Sequence, residues 1–315
     1  MRRNLVLVHT PGLQALEDFL DIRKRMAVMA PDITVMIADT LRRDRAFADL
    51  AGGRPSLIVS PTPLGAFKPR RGRIYHGRAI GKEAQLERLA ALGIPTPLTT
   101  DLAPGISLDP GAWGSHVLLK PTGPGSSHGT GFPIVPTVEI NARGPEYYVR
   151  KYLDTLGPFM VQQFVATGAS ARHFRVNTLF GRPLYCLLYI STETLPDLET
   201  ITEDRLSAAV ATNSPDPRRR TFELVADKDV LELAARCDKA FPDVPVKGVD
   251  IVRDRKTGQL YVLELNCIGT TWHISSDFFE KYRSGPLTRA TMVAQFGAWD
   301  VAAAVLAERT RWEAL

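Results

Sequence analysis

Short apolar runs alternate with helical patterns over the first 80 residues. Leu5–Val8, Ile33–Ala38 and Leu57–Val59 read as buried strands, with helices expected at Leu13–Met29 and Leu41–Leu50 between them. Strands separated by helices imply right-handed crossovers and a parallel sheet, so the chain opens on a small α/β layer. From Ile80 to Leu92 one helical face carries Leu86, Leu89, Ala90 and Leu92; Gly93, Pro95 and Pro97 then stop the helix. A domain junction belongs around residues 76–100.

Beyond it the pattern changes. Val117–Lys120 reads as a strand running into a glycine-rich loop, Glu146–Leu156 as a helix, and Phe159–Val165 as a short apolar strand. His173–Phe180 and Leu184–Ile190 form a hairpin around Gly181-Arg182-Pro183. Residues 191–227 look irregular. A helix at Asp229–Phe241 leads to a second hairpin, Val246–Arg253 and Leu260–Asn266, and an apolar helix follows Pro286. The expected fold class is α/β, with a parallel N-terminal domain (1–78) and two α+β units (79–165 and 166–315).

With 44% apolar and 23% charged residues over 315 positions, disorder and fibrous repeats are excluded. No apolar run nears the ~20 residues of a membrane span. Arg2 and Arg3 precede only Leu5–Val8, short of a secretory core of ~7–15 residues, so a soluble cytoplasmic chain is expected. Cys186, Cys237 and Cys267 form no C-x-x-C pair and read as free thiols. The net charge of +5 comes from residues 1–81, with 14 Lys+Arg against 7 Asp+Glu; residues 82–315 hold 25 against 27. The basic loop Lys68–Arg73 has little aromatic interleaving, so a solvated loop is preferred to a nucleic-acid surface.

Two constellations carry chemistry. In K-P-T-G-P-G-S-S-H-G-T-G (120–131), a strand delivers Lys120 to a loop with four glycines and two serines. Glycines let backbone N–H groups approach an anion, hydroxyls add donors and the lysine adds a point charge. The lysine precedes the glycines, so this is not a Walker A loop.

In K-G-V-D-I-V and Y-V-L-E-L-N, alternation puts Glu264 and Asn266 on one face and Leu263 and Leu265 on the other. A turn centred on Thr257 sets Asp250 opposite Glu264. Two carboxylates and an amide oxygen in apolar strands need neutralising, and three hard oxygens suit Mg²⁺. A solvated polar face of an edge hairpin is the alternative.

These pieces, in this order, resemble the ATP-grasp superfamily, particularly D-alanine–D-alanine ligases, RimK-like amino-acid ligases and glutathione synthetase-like enzymes. The similarity runs from G-K-E-A-Q-L-E-R-L-A-A-L-G-I-P-T-P, starting at Gly81, to Gly269. It implies two units clamping ATP. Lys82 and Lys120 would contact phosphates, with Gly125, Ser126 and Ser127 in a closing loop, and Gln162, Gln163, Phe164 and Val165 forming the adenine hinge. Asp250, Glu264 and Asn266 would be the Mg²⁺ triad. R-H-F-R-V-N-T-L-F-G-R-P-L makes Arg175 a candidate, with Lys120, for stabilising the transferred phosphoryl group.

The chain departs from the family pattern in three places. Ala169 and Ser170 stand where a ribose-gripping carboxylate is usual; Cys267-Ile268-Gly269 replaces an S-P-G run; and Gly248 replaces an arginine. The resemblance implies a ligase joining a carboxylate and an amine through an acyl phosphate. The alternatives are a kinase of the same architecture and a non-catalytic nucleotide-binding regulator. A homodimer enters only by family analogy. His128 and His273 are the nearby histidines, neither assigned as general base, and Trp272 reads as core rather than pocket.

Overall fold

The computed structural model describes residues 2–42, 53–121, 133–156, 159–195, 198, 217–269, 272, 274–275 and 287–315. Strands β1 (Arg3–His9), β2 (Ile33–Asp39), β3 (Ser56–Ser60) and β4 (Arg73–His76) form a parallel sheet in the order β2-β1-β3-β4. β1 and β3 are buried on both faces, which is why they read as unbroken apolar runs. Helix α1 (Leu16–Met29) covers one face through Phe19, Ile22 and Met26, and Phe67 helps close the other. The helix expected over Leu41–Leu50 falls, from position 43 onward, outside the described residues.

Helix α2 (Lys82–Ala91) leads to an antiparallel sheet ordered β5-β8-β6-β7: β5 (Thr99–Asp101), β6 (His116–Pro121), β7 (Ile134–Pro136) and β8 (Phe159–Gln163). Helices α3 (Pro110–Trp113), α4 (Thr137–Arg143) and α5 (Pro145–Leu156) belong to this unit. Val117, Leu119, Val135, Phe159 and Val161 form its core on one face. The opposite face carries Leu118, Lys120 and Gln162, as the period of two requires.

A second antiparallel sheet, ordered β11-β10-β9-β12-β13, comprises β9 (Ser170–Leu179), β10 (Arg182–Thr194), β11 (Arg220–Leu224), β12 (Val246–Arg253) and β13 (Leu260–Asn266). Its Val176, Cys186, Val249, Ile251 and Leu265 pack on helix α6 (Lys228–Arg236), where Asp227 caps the first turn by accepting from Val230 N. On the other face Tyr185, Leu187 and Tyr189 meet α8 (Ala298–Glu313), which also packs on α1 and the parallel sheet. The three cysteines are free and buried, and burial pushes their thiols up to about 11 to 12.

Three expectations are corrected. The first hairpin turns at Phe180-Gly181, with Arg182 already paired to Leu179; φ is +48 and +75 there, a type I′ signature that a phenylalanine hides from the sequence. The stretch 191–227 is not wholly irregular: β10 runs to Thr194, and alternating Phe222 and Leu224 make Arg220–Leu224 an edge strand. The apolar tail is two helices, α7 (Arg289–Phe296) and α8, bent by 55° at Gly297, whose φ of +66 ends the first. No single helix among the described residues is long and apolar enough to cross a membrane.

Candidate nucleotide and metal site

β12 lies between β9 and β13, and register puts Arg175, Asp250 and Glu264 directly opposite one another in a row across three strands. The next row is Asn177, Gly248 and Asn266. Side chains opposite each other across antiparallel strands stand ~5 Å apart, so both carboxylates share one patch of the sheet. Asn266 Nδ2 donates to Asp250 Oδ2 at 3.1 Å and to Glu264 Oε1 at 3.3 Å.

The register also corrects the expected alternation. Asp250 faces Glu264, but Ile251 faces Val262, so Leu263 is an extra residue on β13. This bulge lets Val262 and Leu265 both enter the core beneath α6 while Glu264 turns to the opposite face. Leu263 lies outside that core, and the turn centre moves half a residue, to between Lys256 and Thr257. The Asp254 carboxylate accepts from Lys256 N and Thr257 N there, and Gly258 takes a φ of +75.

Arg175 forks onto Asp250: Nη2 donates to Oδ2 at 2.7 Å and Nε to Oδ1. Burial opposes the arginine's charge, but the Asp250 charge and hydrogen bonds outweigh it and raise the guanidinium further above its ordinary range. His173 lies two residues before Arg175 on the same face, stacked on Tyr189 at 4.4 Å, with Nε2 3.8 Å from Asp250 Oδ1. Burial first, and then Arg175, hold it down to about 3, so it is neutral. Neither of its ring nitrogens has a hydrogen-bond partner among the described residues.

Two ammonium groups approach from the other elements. Lys82, at the first turn of α2, has Nζ 3.9 Å from Glu264 Oε2. One turn on, buried Gln85 accepts from Leu265 N at 2.7 Å and donates to Ile80 O at 2.8 Å, which pins α2 to the strand bearing Glu264. Lys120, near the end of β6, donates to Gln162 Oε1, and Gln162 Nε2 donates to Thr99 Oγ1 at 3.0 Å. Burial, and then repulsion from Lys82, lower Lys120 to about 8 against the opposing pull of Glu264 and Asp250. Those named influences bring Lys82, Lys120, Asp250 and Glu264 into one electrostatic neighbourhood, spanning two sheets.

The segment after β8, where the hinge is expected, follows Gln162, which accepts from Lys120. Gln163 N donates to Leu98 O at 2.8 Å and Phe164 N to His116 O at 3.2 Å. Val165 is then the hinge position, among the described residues, whose N–H no backbone carbonyl takes. Leu118, Ile134, Phe164 and Leu198 form an apolar cluster on the Lys120 face of the sheet. Arg255 N donates to Ala166 O at 2.8 Å, tying the β12–β13 turn to the hinge exit. Ala169 O accepts from Leu195 N at 2.7 Å, so this position is absorbed by strand pairing.

No family model matches the chain, and no curated protein does. Matching solved structures include a D-alanine–D-alanine ligase from Bacillus anthracis: 14% identity, 98% of this chain and 100% of that chain covered, TM-score 0.45. D-cycloserine synthetase DcsG matches at 16% identity over 96% of this chain and 99% of that one, TM-score 0.46. ATP-grasp ligase PsnB, complexed with a precursor peptide and AMPPNP, matches at 14% identity over 94% and 98%, TM-score 0.48. Ligases of the ATP-grasp type are thus among the matches. None of these scores reaches 0.5, so the site is read from its own geometry.

The donor set fits a hard divalent cation. Asp250 and Glu264 supply carboxylate oxygens, and a half-turn of the Asn266 amide, equal in shape, replaces Nδ2 by Oδ1 toward the same point. Among the described residues no group of three His, Cys, Asp or Glu side chains could hold a metal; the trio here has only two carboxylates. Gly125, Ser126 and Ser127, with His128 and His273, lie outside the described residues. Trp272 is core: it stacks on Phe19 and Trp299, and its Nε1 donates to Asp18 Oδ2 at 2.8 Å.

Gln85, His173 and the Leu118–Leu198 cluster were not singled out from the sequence. Gln85 sits one helical turn after Lys82, which is a usable signal; the other positions are marked only by register.

Proposed function

We propose that the protein is an ATP-dependent ligase that joins a carboxylate to an amine, with Mg²⁺ held by Asp250, Glu264 and Asn266. The observation that carries this is the convergence of Lys82 and Lys120 with those two carboxylates from separate elements. Such a cluster of opposed charges is costly to bury without a ligand that matches it. A metal-bound triphosphate does so, since its cation answers the acids and its oxygens answer the lysines.

In this reading the Leu118, Ile134, Phe164 and Leu198 surface receives the base, and the Val165 N–H reads its edge. Lys120, steadied by Gln162, and Lys82, steadied through Gln85, hold the phosphates. Bound Mg²⁺ neutralises charge on the phosphate oxygens during transfer. A substrate carboxylate oxygen attacks the γ-phosphorus and ADP leaves. Arg175 offsets the charge that grows on the transferred group, and the Ser126/Ser127 loop keeps water from the resulting acyl phosphate. An amine then attacks the acyl carbon, and phosphate departs as the amide forms. Mutual positioning supplies most of the acceleration.

A screen of carboxylates for ADP release, with and without added amines and with mass spectrometry of the products, tests this reading. Amine-dependent phosphate release with amide formation is the expected outcome. A phosphorylated hydroxyl formed without any amine would make the protein a kinase. Nucleotide binding with no turnover across the screen would leave a regulator. Glu264→Gln should abolish turnover; unchanged turnover refutes the metal assignment.

A further inference from the structure

We propose that the Arg175–Asp250 fork is a self-blocking contact. The guanidinium occupies the carboxylate that the cation needs, and it yields when cation and phosphate arrive together. This rests on the metal and phosphate roles proposed above.

Both oxygens of Asp250 are taken: Arg175 Nη2 and Nε each donate to one, and Asn266 Nδ2 adds a second bond to Oδ2. Both residues are buried, so neither charge can turn to water instead. Arg175 is the cation that forks onto Asp250. His173 Nε2 stands off at 3.8 Å from Asp250 Oδ1, and Lys82 is paired with Glu264.

A buried ion pair is weakly stabilising as a pair but strongly resists loss of one member. A cation arriving alone would take Asp250 and strand Arg175. A phosphate arriving alone would draw off Arg175 and strand Asp250. Only the two together leave both charges answered, so each should raise the other's affinity by the same factor. Glu264 is differently placed: its Lys82 partner stands 3.9 Å away and both side chains are partly exposed. The block therefore lies at one carboxylate.

The test is Mn²⁺ alone, titrated without nucleotide and followed by the electron paramagnetic resonance of the free ion. Wild type should bind weakly, and Arg175→Met should bind at least about tenfold more tightly, since the carboxylate is then open and uncompensated. Asp250→Asn added to Arg175→Met should remove that gain. Mn²⁺ alone should raise the Tm of Arg175→Met and leave wild type almost unmoved.

If Arg175→Met binds Mn²⁺ no more tightly than wild type, the block is refuted. The metal reading survives that result if Asp250→Asn still lowers Mn²⁺ binding in the presence of a non-hydrolysable ATP analogue. If Asp250→Asn leaves that binding unchanged, the metal reading fails as well. Should Arg175→Met not fold by circular dichroism, Arg175→Lys keeps the charge and loses the fork. It should show a smaller gain, and no gain refutes the proposal equally.

Discussion

Lys120 offers a pH experiment whose size follows from the site. Its ammonium is lowered to about 8 by burial first and by Lys82 second, so it loses its proton within the working range of most assays. A phosphate has finished its second ionisation by then, with a pKa of about 6. If only the ammonium form holds the phosphates, the apparent Kd scales as one plus ten to the power of pH minus 8. It then rises from about 1.1 times its limiting value at pH 7 to about 11 times at pH 9, a loss of roughly tenfold. Isothermal titration with metal-free ADP at both pH values measures it. Lys120→Arg should flatten the profile, because a guanidinium stays charged throughout, and Lys120→Met should bind weakly at both. Wild-type affinity that does not change between pH 7 and 9 would refute the role given to Lys120. The sign for stability is opposite: a lysine lowered in the folded state sheds a proton there that the unfolded chain keeps up to about 10.4. This group's contribution to stability thus rises with pH between about 8 and that value.

Other substitutions probe the scaffold. Gln85→Leu leaves Leu265 N–H and Ile80 O without their partner, at about 1–3 kcal/mol for each buried group before any gain from the leucine. Urea unfolding should show a net loss of about 2 kcal/mol or more, and nucleotide affinity should fall with it. Lys247→Met strips Asp238 Oδ1 and Val244 O of a fully buried ammonium and should cost about 3–5 kcal/mol by the same assay. Gly77→Ala would bring a Cβ to 1.9 Å from Pro61 O and 3.0 Å from Cys267 O, backbone atoms just beyond the ends of β3 and β13. A lowered Tm is expected, and an unchanged one would mean that the contact gives way freely.

How much of this was legible depends on which physical signal each part leaves in the chain. β1 and β3 are buried on both faces, and β12 is covered on both sides, so their apolar runs mark them from composition alone. Asp250 and Glu264 were visible for the converse reason: a charge inside such a run has no cheap explanation.

Short edge pieces leave no such trace. β4, β5 and β7 span three or four residues each and owe their form to the strand beside them. Arg220–Leu224 is likewise a strand because β10 supplies its partner. The bulge at Leu263 was invisible for a sharper reason. A period of two predicts sides correctly until one residue is added, and only the demand that Val262 and Leu265 both be buried reveals the addition. Arg175 shows the same limit at the level of chemistry. Its sequence neighbourhood resembles that of a phosphate ligand, whereas register sets the guanidinium on Asp250. Two residues each legible as ligand-binding are thus bound to one another. This is what buried charges must do, and under the proposed metal role cation affinity belongs to the pair rather than to the carboxylate.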